Sequence, residues 1–262
     1  PGSPFIALHA AKNHTRRFPK PIHFLFIEER EDRYHHLDSL VKKFPMPSPN
    51  IHSIKVRRGD CDSILTEILD QHESDGKTFG PALAFLDQFG YAGVSMFLVN
   101  RILKYPQCEA FIYLDFKDMN RFIGDSSKAS GFSSTFGSDE WKKAIQMSEA
   151  ERRRFLLTAY VEVLHSRGGA KYVYPFSMFD GTGKLMYWLI FCSGSLSGLE
   201  QMKKAMWRVD RSGNFRFSDE ENPSQLLLLE NAYDQSWLAD KLKHDFAGRE
   251  ITVGAIAEYV LI

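Results

Sequence analysis

The chain is short of cysteine, of charge imbalance and of long apolar runs, and each shortage excludes a class of protein. Only three of the 262 residues are cysteines: Cys61, Cys108 and Cys192. They are widely spaced and odd in number, with no CxxC pair and no Cys/His cluster at metal-ligand spacing, so neither a disulfide framework nor a metal site is expected. They read as reduced thiols of a cytoplasmic protein. Lys plus Arg equals Asp plus Glu at 33 each, which leaves no whole-molecule field to attract nucleic acid or anionic lipid, only local contacts. No apolar run reaches the ~18 residues that span a bilayer, and no basic-then-apolar signal opens the chain. GxSxG, a Walker loop and HExxH are also missing, which sets aside the commonest hydrolase and NTPase readings.

What is present is a globular composition, 44% hydrophobic and 25% charged, with a repeating pattern of short apolar runs and helical stripes. HFLFIEE (His23 to Glu29) is a strand that ends in acids. EREDRYHHLDSLVKKF after it places Tyr34, Leu37, Leu40, Val41 and Phe44 on one helical face. After the breaker PMPSPN, IHSIKV (Ile51 to Val56) forms a second strand and RRGDCDSILTEIL a second helix, with Asp60 or Asp62 as its N-cap. ALAFLD (Ala82 to Asp87) and EAFIYLDF (Glu109 to Phe116) are further strands, separated by the helix VSMFLVNRILKY. Strands alternating with helices of this length predict βαβ crossovers and a mainly parallel sheet.

From Asp118 to about Gly169 the chain is polar and then helical, with apolar stripes in EWKKAIQM and ERRRFLLTAYVEVLHS. KYVYPFSMFDGTGKLMYWLIFCS predicts two strands joined at Asp180-Gly181-Thr182-Gly183. LEQMKKAMWRVD is an amphipathic helix. The expected division is an α/β domain over 1–215 and a helical tail over 216–262, with a helical stretch near Leu226 to Phe246.

Ligands of open α/β sheets collect at the carboxyl ends of the strands, so acids at strand exits are the candidate site residues. Glu28 and Glu29 close the first strand, where a carboxylate accepts both hydroxyls of a ribose or simply sits well at a helix start. Asp60 follows the second strand in GDC; it suits an adenine amino group with Cys61 against the ring, and it suits a helix N-cap. Asp87 and Gln88, with Phe89, Gly90 and Tyr91, combine a carboxylate, an amide, stacking rings and a close backbone approach. The plainer reading of that stretch is a βα turn with buried aromatics. Arg152, Arg153 and Arg154, with Arg16, Arg17 and Lys20, are candidate phosphate contacts or a solvated face. His35 and His36 lack a third ligand nearby. A nucleoside cofactor on such a fold needs a Gly-rich loop after a strand, and none follows any strand here. Pro1 to Lys12 looks like the end of that loop and the helix behind it, so the loop and its strand are expected upstream of Pro1.

Pro1-Gly2-Ser3-Pro4, FIEE, GDC, FLDQFGY and MNRF (Met119 to Phe122), and above all KYVYPFSM, LMYWLIFCS and GLEQMKKAMWRVD, resemble the bacterial and phage three-Cys-motif partner proteins (TcmP). The likeness covers nearly the whole chain and is most specific from Lys171 to Asp210. It implies a Rossmann-like class I methyltransferase sheet of seven strands, six of them parallel, with the last inserted antiparallel from a hairpin and helices on both faces. It implies S-adenosylmethionine as cofactor, with Glu28 on the ribose and Asp60 and Cys61 at the adenine. Asp87, Gln88, Phe89 and Tyr91 would occupy the position where amino-group methyltransferases carry an acid or amide followed by an aromatic. DQFGY lacks the paired prolines of that motif. The resemblance further implies a three-Cys-motif, radical-SAM-like partner and a winged-helix-like tail of which Glu250 to Ile262 would be the first helix. Modification of an amino group in DNA, RNA or a nucleotide is the expected activity. A non-catalytic protein of the same fold that recruits that partner or nucleic acid is the alternative.

Overall fold

The computed structural model describes residues 2–88, 93–209, 216–218 and 236–261. They are α/β throughout and form two compact units, Pro1–Asp75 and Gly76–Ile262. The boundary expected near residue 215 lies outside the described residues, as does the stretch from Leu226 to residue 235.

The first unit holds helix α1 (Ser3–Lys12), strand β1 (Ile22–Glu28), helix α2 (Glu31–Lys42), strand β2 (Ile51–Arg58) and helix α3 (Cys61–Ser74). β1 and β2 pair in parallel across the α2 crossover, with Phe24 opposite Ile54 and Phe26 opposite Val56. Sequence chemistry sets the helix starts. Pro4 stands in the first turn of α1, where its missing N–H has no intrahelical partner to lose. Glu31 and Asp32 sit in the first turn of α2, at the positive end of its dipole. The core gathers Leu8, Ala11, Phe44 and Ile51, with Phe5, Ile22, Phe24, Phe26 and Ile54 against it. The segment that returns from α1 to β1 is held by Asn50, only 1% exposed. Its amide donates to the carbonyls of Ala11 (3.2 Å) and Arg16 (3.1 Å), and its Oδ1 accepts from the Phe18 N–H (2.9 Å).

The second unit begins with strand β3 (Ala82–Leu86), helix α4 (Met96–Leu103) and strand β4 (Cys108–Leu114). Helices α5 (Phe116–Phe122), α6 (Ala129–Phe136) and α7 (Glu149–Ser166) follow, then strands β5 (Tyr172–Phe179) and β6 (Leu185–Ser193) and helix α8 (Leu196–Val209). Strand β7 (Arg216–Ser218) and helices α9 (Ser236–Phe246) and α10 (Val253–Leu261) complete the described elements. The strand order is β3-β4-β6-β5-β7. β3 and β4 are parallel, β5 and β7 are parallel, and β6 runs antiparallel to both β4 and β5, so the described sheet is mainly parallel with the second hairpin strand inserted antiparallel, as expected. The hairpin responsible turns at the expected residues. Asp180 Oδ1 accepts from the N–H groups of Thr182 and Lys184, both at 2.9 Å, and Gly183 takes φ +77°.

Two expectations between β4 and β5 change. EWKKAIQM yields only a short 3₁₀ turn, Glu140–Ala144, because Ser148 starts α7 directly afterwards with a capping box to Glu151. α5 and α6 arise in a stretch that reads as polar; each is a helix of two turns, too short for its apolar spacing to stand out.

Strand alternation gives this sheet two faces. On one, Cys108, Ala110, Ile112 and Leu114 of β4 are buried, and Trp188 of β6 meets Phe116 edge-on at 5.1 Å. On the other, α8 covers the β5–β6 end with Leu199 and Met206 over Tyr172, Phe176 and Phe191. The β3 end of that second face stays open, with Leu83 60% and Phe85 46% exposed. α10 is tied to β5 by Tyr172, whose hydroxyl donates to Glu258 at 2.8 Å. Among the described residues no helix is long and apolar enough to cross a membrane.

Candidate functional site

In the first unit the suspected acids stand together at one rim. β1 and β2 are neighbours in parallel register, with Glu28 opposite Arg58, and the N–H of Gly59 donates to the carbonyl of Glu28 at 3.1 Å. The carboxyl ends of both strands, and so Glu28 and Asp60, fall side by side. Glu28 is half-buried and accepts from the Arg30 N–H at 3.0 Å. Glu29 is exposed. Asp60 is the N-cap of α3, with Oδ2 accepting from the Ser63 N–H at 2.7 Å; the plainer reading of this residue is thus realised, and its other oxygen is left for a second partner. Gly59 has φ +146°, and a Cβ there would come within 3.0 Å of Ile64, so the turn that delivers Asp60 requires glycine.

Cys61 is partly buried beside these acids. Burial, then the charges of Asp60 and Asp62, push its thiol up to about 11. The thiol therefore stays neutral at physiological pH and offers a polarizable, apolar surface rather than a nucleophile. Because only the thiolate reacts, Cys61 should alkylate with iodoacetamide about a hundredfold more slowly at pH 8 than a cysteine of ordinary pKa, the deficit closing as pH rises toward 11. Mass spectrometry of a time course checks this; rapid labelling at pH 8 would contradict it.

In the second unit the exits of β3 and β4 lie adjacent. Asp87 is exposed just past the end of β3. Gln88 is only 5% exposed, and both ends of its amide are engaged: Nε2 donates to the Tyr113 carbonyl at 3.1 Å and Oε1 accepts from the Val94 N–H at 3.0 Å. Its geometry is that of a brace holding the segment after β3 onto β4, so the substrate-orienting role read for Gln88 is corrected to an indirect one. Phe89, Gly90 and Tyr91 lie outside the described residues.

Three neighbours of Asp87 were not singled out from the sequence. By strand register Asp87 continues the face that carries Tyr113, and the two interact electrostatically. The Tyr113 hydroxyl donates to Asp115 at a long 3.4 Å, and its ring lies 4.4 Å from that of Tyr187 on β6, tilted by 35°. Asp115 caps α5, its Oδ1 accepting from the Asp118 N–H at 2.9 Å. Burial holds the Asp115 carboxyl above the usual carboxylate range and raises the Tyr113 phenol. The available signal was the end of EAFIYLDF, where an aromatic and an acid close a strand as they do in FLDQFGY.

Of the basic candidates, Arg152 is engaged within the fold. It donates to the carbonyls of Ala144 (3.0 Å), Ile145 (3.1 Å) and Met147 (2.8 Å) and to Asn120 Oδ1 (2.6 Å). No group of three or more potential metal ligands occurs among the described residues. No family model matches the chain, and no curated protein or solved structure matches it either. The class that the structure defines is an α/β protein with helices packed on parallel and mixed sheets.

Proposed function

We propose that the chain is an S-adenosylmethionine-dependent methyltransferase of the class I kind, acting on an amino group of a nucleic acid or nucleotide. The observation that supports this most is the placing of Glu28 and Asp60 at the carboxyl ends of two neighbouring parallel strands, where open α/β sheets receive nucleoside ligands. The residues suit the group. Glu28 keeps one carboxylate oxygen for ribose hydroxyls, Asp60 keeps one for the adenine amino group, and the neutral Cys61 thiol suits the ring edge. Bound there, S-adenosylmethionine supplies an electrophilic methyl group that transfers by in-line displacement. In the second unit, taken by itself, the chain's task is positioning: Asp87 accepts a hydrogen bond from an acceptor amine, and Gln88 fixes the backbone that carries Asp87.

Asp87→Ala tests the assignment. The side chain is exposed, so circular dichroism should match the parent, while transfer of labelled methyl groups should fall by about a hundredfold. Full activity in the variant would end the role of Asp87.

A second reading draws on α10, whose Val253 is 84% and Val260 42% exposed. In it the fold is kept without catalysis, and the tail recruits a partner such as a three-Cys-motif, radical-SAM-like protein or nucleic acid. Undiminished partner capture by a chain that binds no S-adenosylmethionine would favour this reading.

A further inference from the structure

The open end of the second unit's sheet carries features that the roles above leave unused. Four half-buried or exposed rings follow one another on a single face. Phe85 of β3 lies 5.7 Å from Phe111 of β4, and Tyr113 of β4 lies 4.4 Å from Tyr187 of β6. The row ends at Asp87 and Asp115, one past each of the parallel strands β3 and β4. Aromatic rows inside a core are usually sealed by a helix. α8 seals the β5–β6 part of this one, while Phe85 stays 46% exposed.

The chemistry at the closed end of the row is specific. Asp115 spends Oδ1 on the α5 cap, and Oδ2 receives only the long 3.4 Å contact from Tyr113. A carboxylate oxygen accepts two hydrogen bonds, so Oδ2 has room for a further donor lying in the plane of a ring stacked on the tyrosines. A plain apolar partner would leave Asp115 Oδ2 desolvated with only that long contact, which is costly. A planar ring bearing an N–H₂ group meets both demands: its face stacks on the aromatic surface and its amine pairs with a carboxylate.

We infer that Tyr113, Tyr187 and Asp115, flanked by Asp87, form a binding site for an amino-bearing nucleobase, read by stacking and by its exocyclic amine. As the acceptor side of the proposed methyl transfer, this assignment rests on that reading for its purpose, but base binding itself requires no cofactor. Asp115 then tells a base with an exocyclic amine from one with a carbonyl in the same place, and the tyrosines supply affinity that is indifferent to that choice.

Calorimetric titration of the protein with cytidine and with uridine tests this, because the two differ in the 4-amino and 4-oxo groups. Cytidine should bind at least about tenfold more tightly than uridine. Asp115→Asn, which keeps a good N-cap for α5, should remove most of that preference and leave weak uridine binding where it was. Tyr187→Leu should weaken both nucleosides together. Glu28→Ala should leave cytidine binding unchanged, and Tyr187→Leu should leave S-adenosylmethionine binding unchanged, so the failure of one site is distinguishable from the failure of the other. Equal binding of the two nucleosides, no binding of either, or a cytidine preference that survives in Asp115→Asn overturns the inference.

Discussion

Arg152→Ala should unfold at markedly lower denaturant than the parent, with a loss of about 4 kcal/mol, the largest expected of any single surface-proximal substitution here. One guanidinium serves three carbonyls in a row, those of Ala144, Ile145 and Met147, and it also holds Asn120 Oδ1 at 2.6 Å. The carbonyls belong to the 3₁₀ turn Glu140–Ala144 and its exit, where Trp141 is buried and stacks on Phe132 at 4.7 Å. A helix end whose carbonyls lose their partners must find water or unwind. Here water would have to enter beside that stacked pair. Arg152→Lys should recover only a minority of the loss, because an ammonium on a flexible stem cannot reproduce the fixed fork that reaches four acceptors. Equilibrium urea unfolding followed by fluorescence checks both variants; a loss under about 1 kcal/mol in Arg152→Ala would show that the network is replaceable by solvent.

Asn50→Ala is expected to cost about 3 kcal/mol, concentrated in the first unit. Its side chain joins three points that are distant in sequence, the carbonyls of Ala11 and Arg16 and the N–H of Phe18, and its own carbonyl accepts from the Ile22 N–H at 2.8 Å. The backbone bond survives the substitution and the three side-chain bonds do not. Asn50→Asp is the sharper comparison. It keeps the shape and the acceptor for Phe18, yet turns the donor into a second acceptor facing two carbonyls, so it should be as damaging as alanine. Hydrogen exchange at Phe18 should accelerate in both variants, and unchanged protection there would contradict the assigned clamp.

Strands β1 to β6 are legible because each is a short apolar run that ends at acids or turn residues, as in HFLFIEE and ALAFLD, whereas the three residues of β7 lie in a stretch that reads as a polar linker. Asp60 was legible twice over, since an acid before a helix is an N-cap by local chemistry alone. The bracing contacts of Gln88 are not legible in sequence, for a physical reason. Its two partners, Tyr113 and Val94, are known only once β3 lies beside β4, and a buried amide bonded to backbone looks in sequence like an amide facing a ligand. Tyr187 shows the same limit more strongly. Nothing in LMYWLIFCS says which strand it will pair with, and only the antiparallel return of β6 along β4 brings its ring to Tyr113. Asp115 was hidden by its own regularity, closing an alternating strand and capping the next helix as ordinary acids do.

The most direct measurement is calorimetric titration with S-adenosylmethionine of a chain that carries the Gly-rich loop such a cofactor needs, alongside Glu28→Ala and Asp60→Asn. Stoichiometric binding is predicted, weakened at least about tenfold by Glu28→Ala, which removes a ribose acceptor, and less by Asp60→Asn, which keeps the helix cap. Absence of binding, or binding that neither variant disturbs, would contradict the placing of a nucleoside cofactor on the rim shared by β1 and β2.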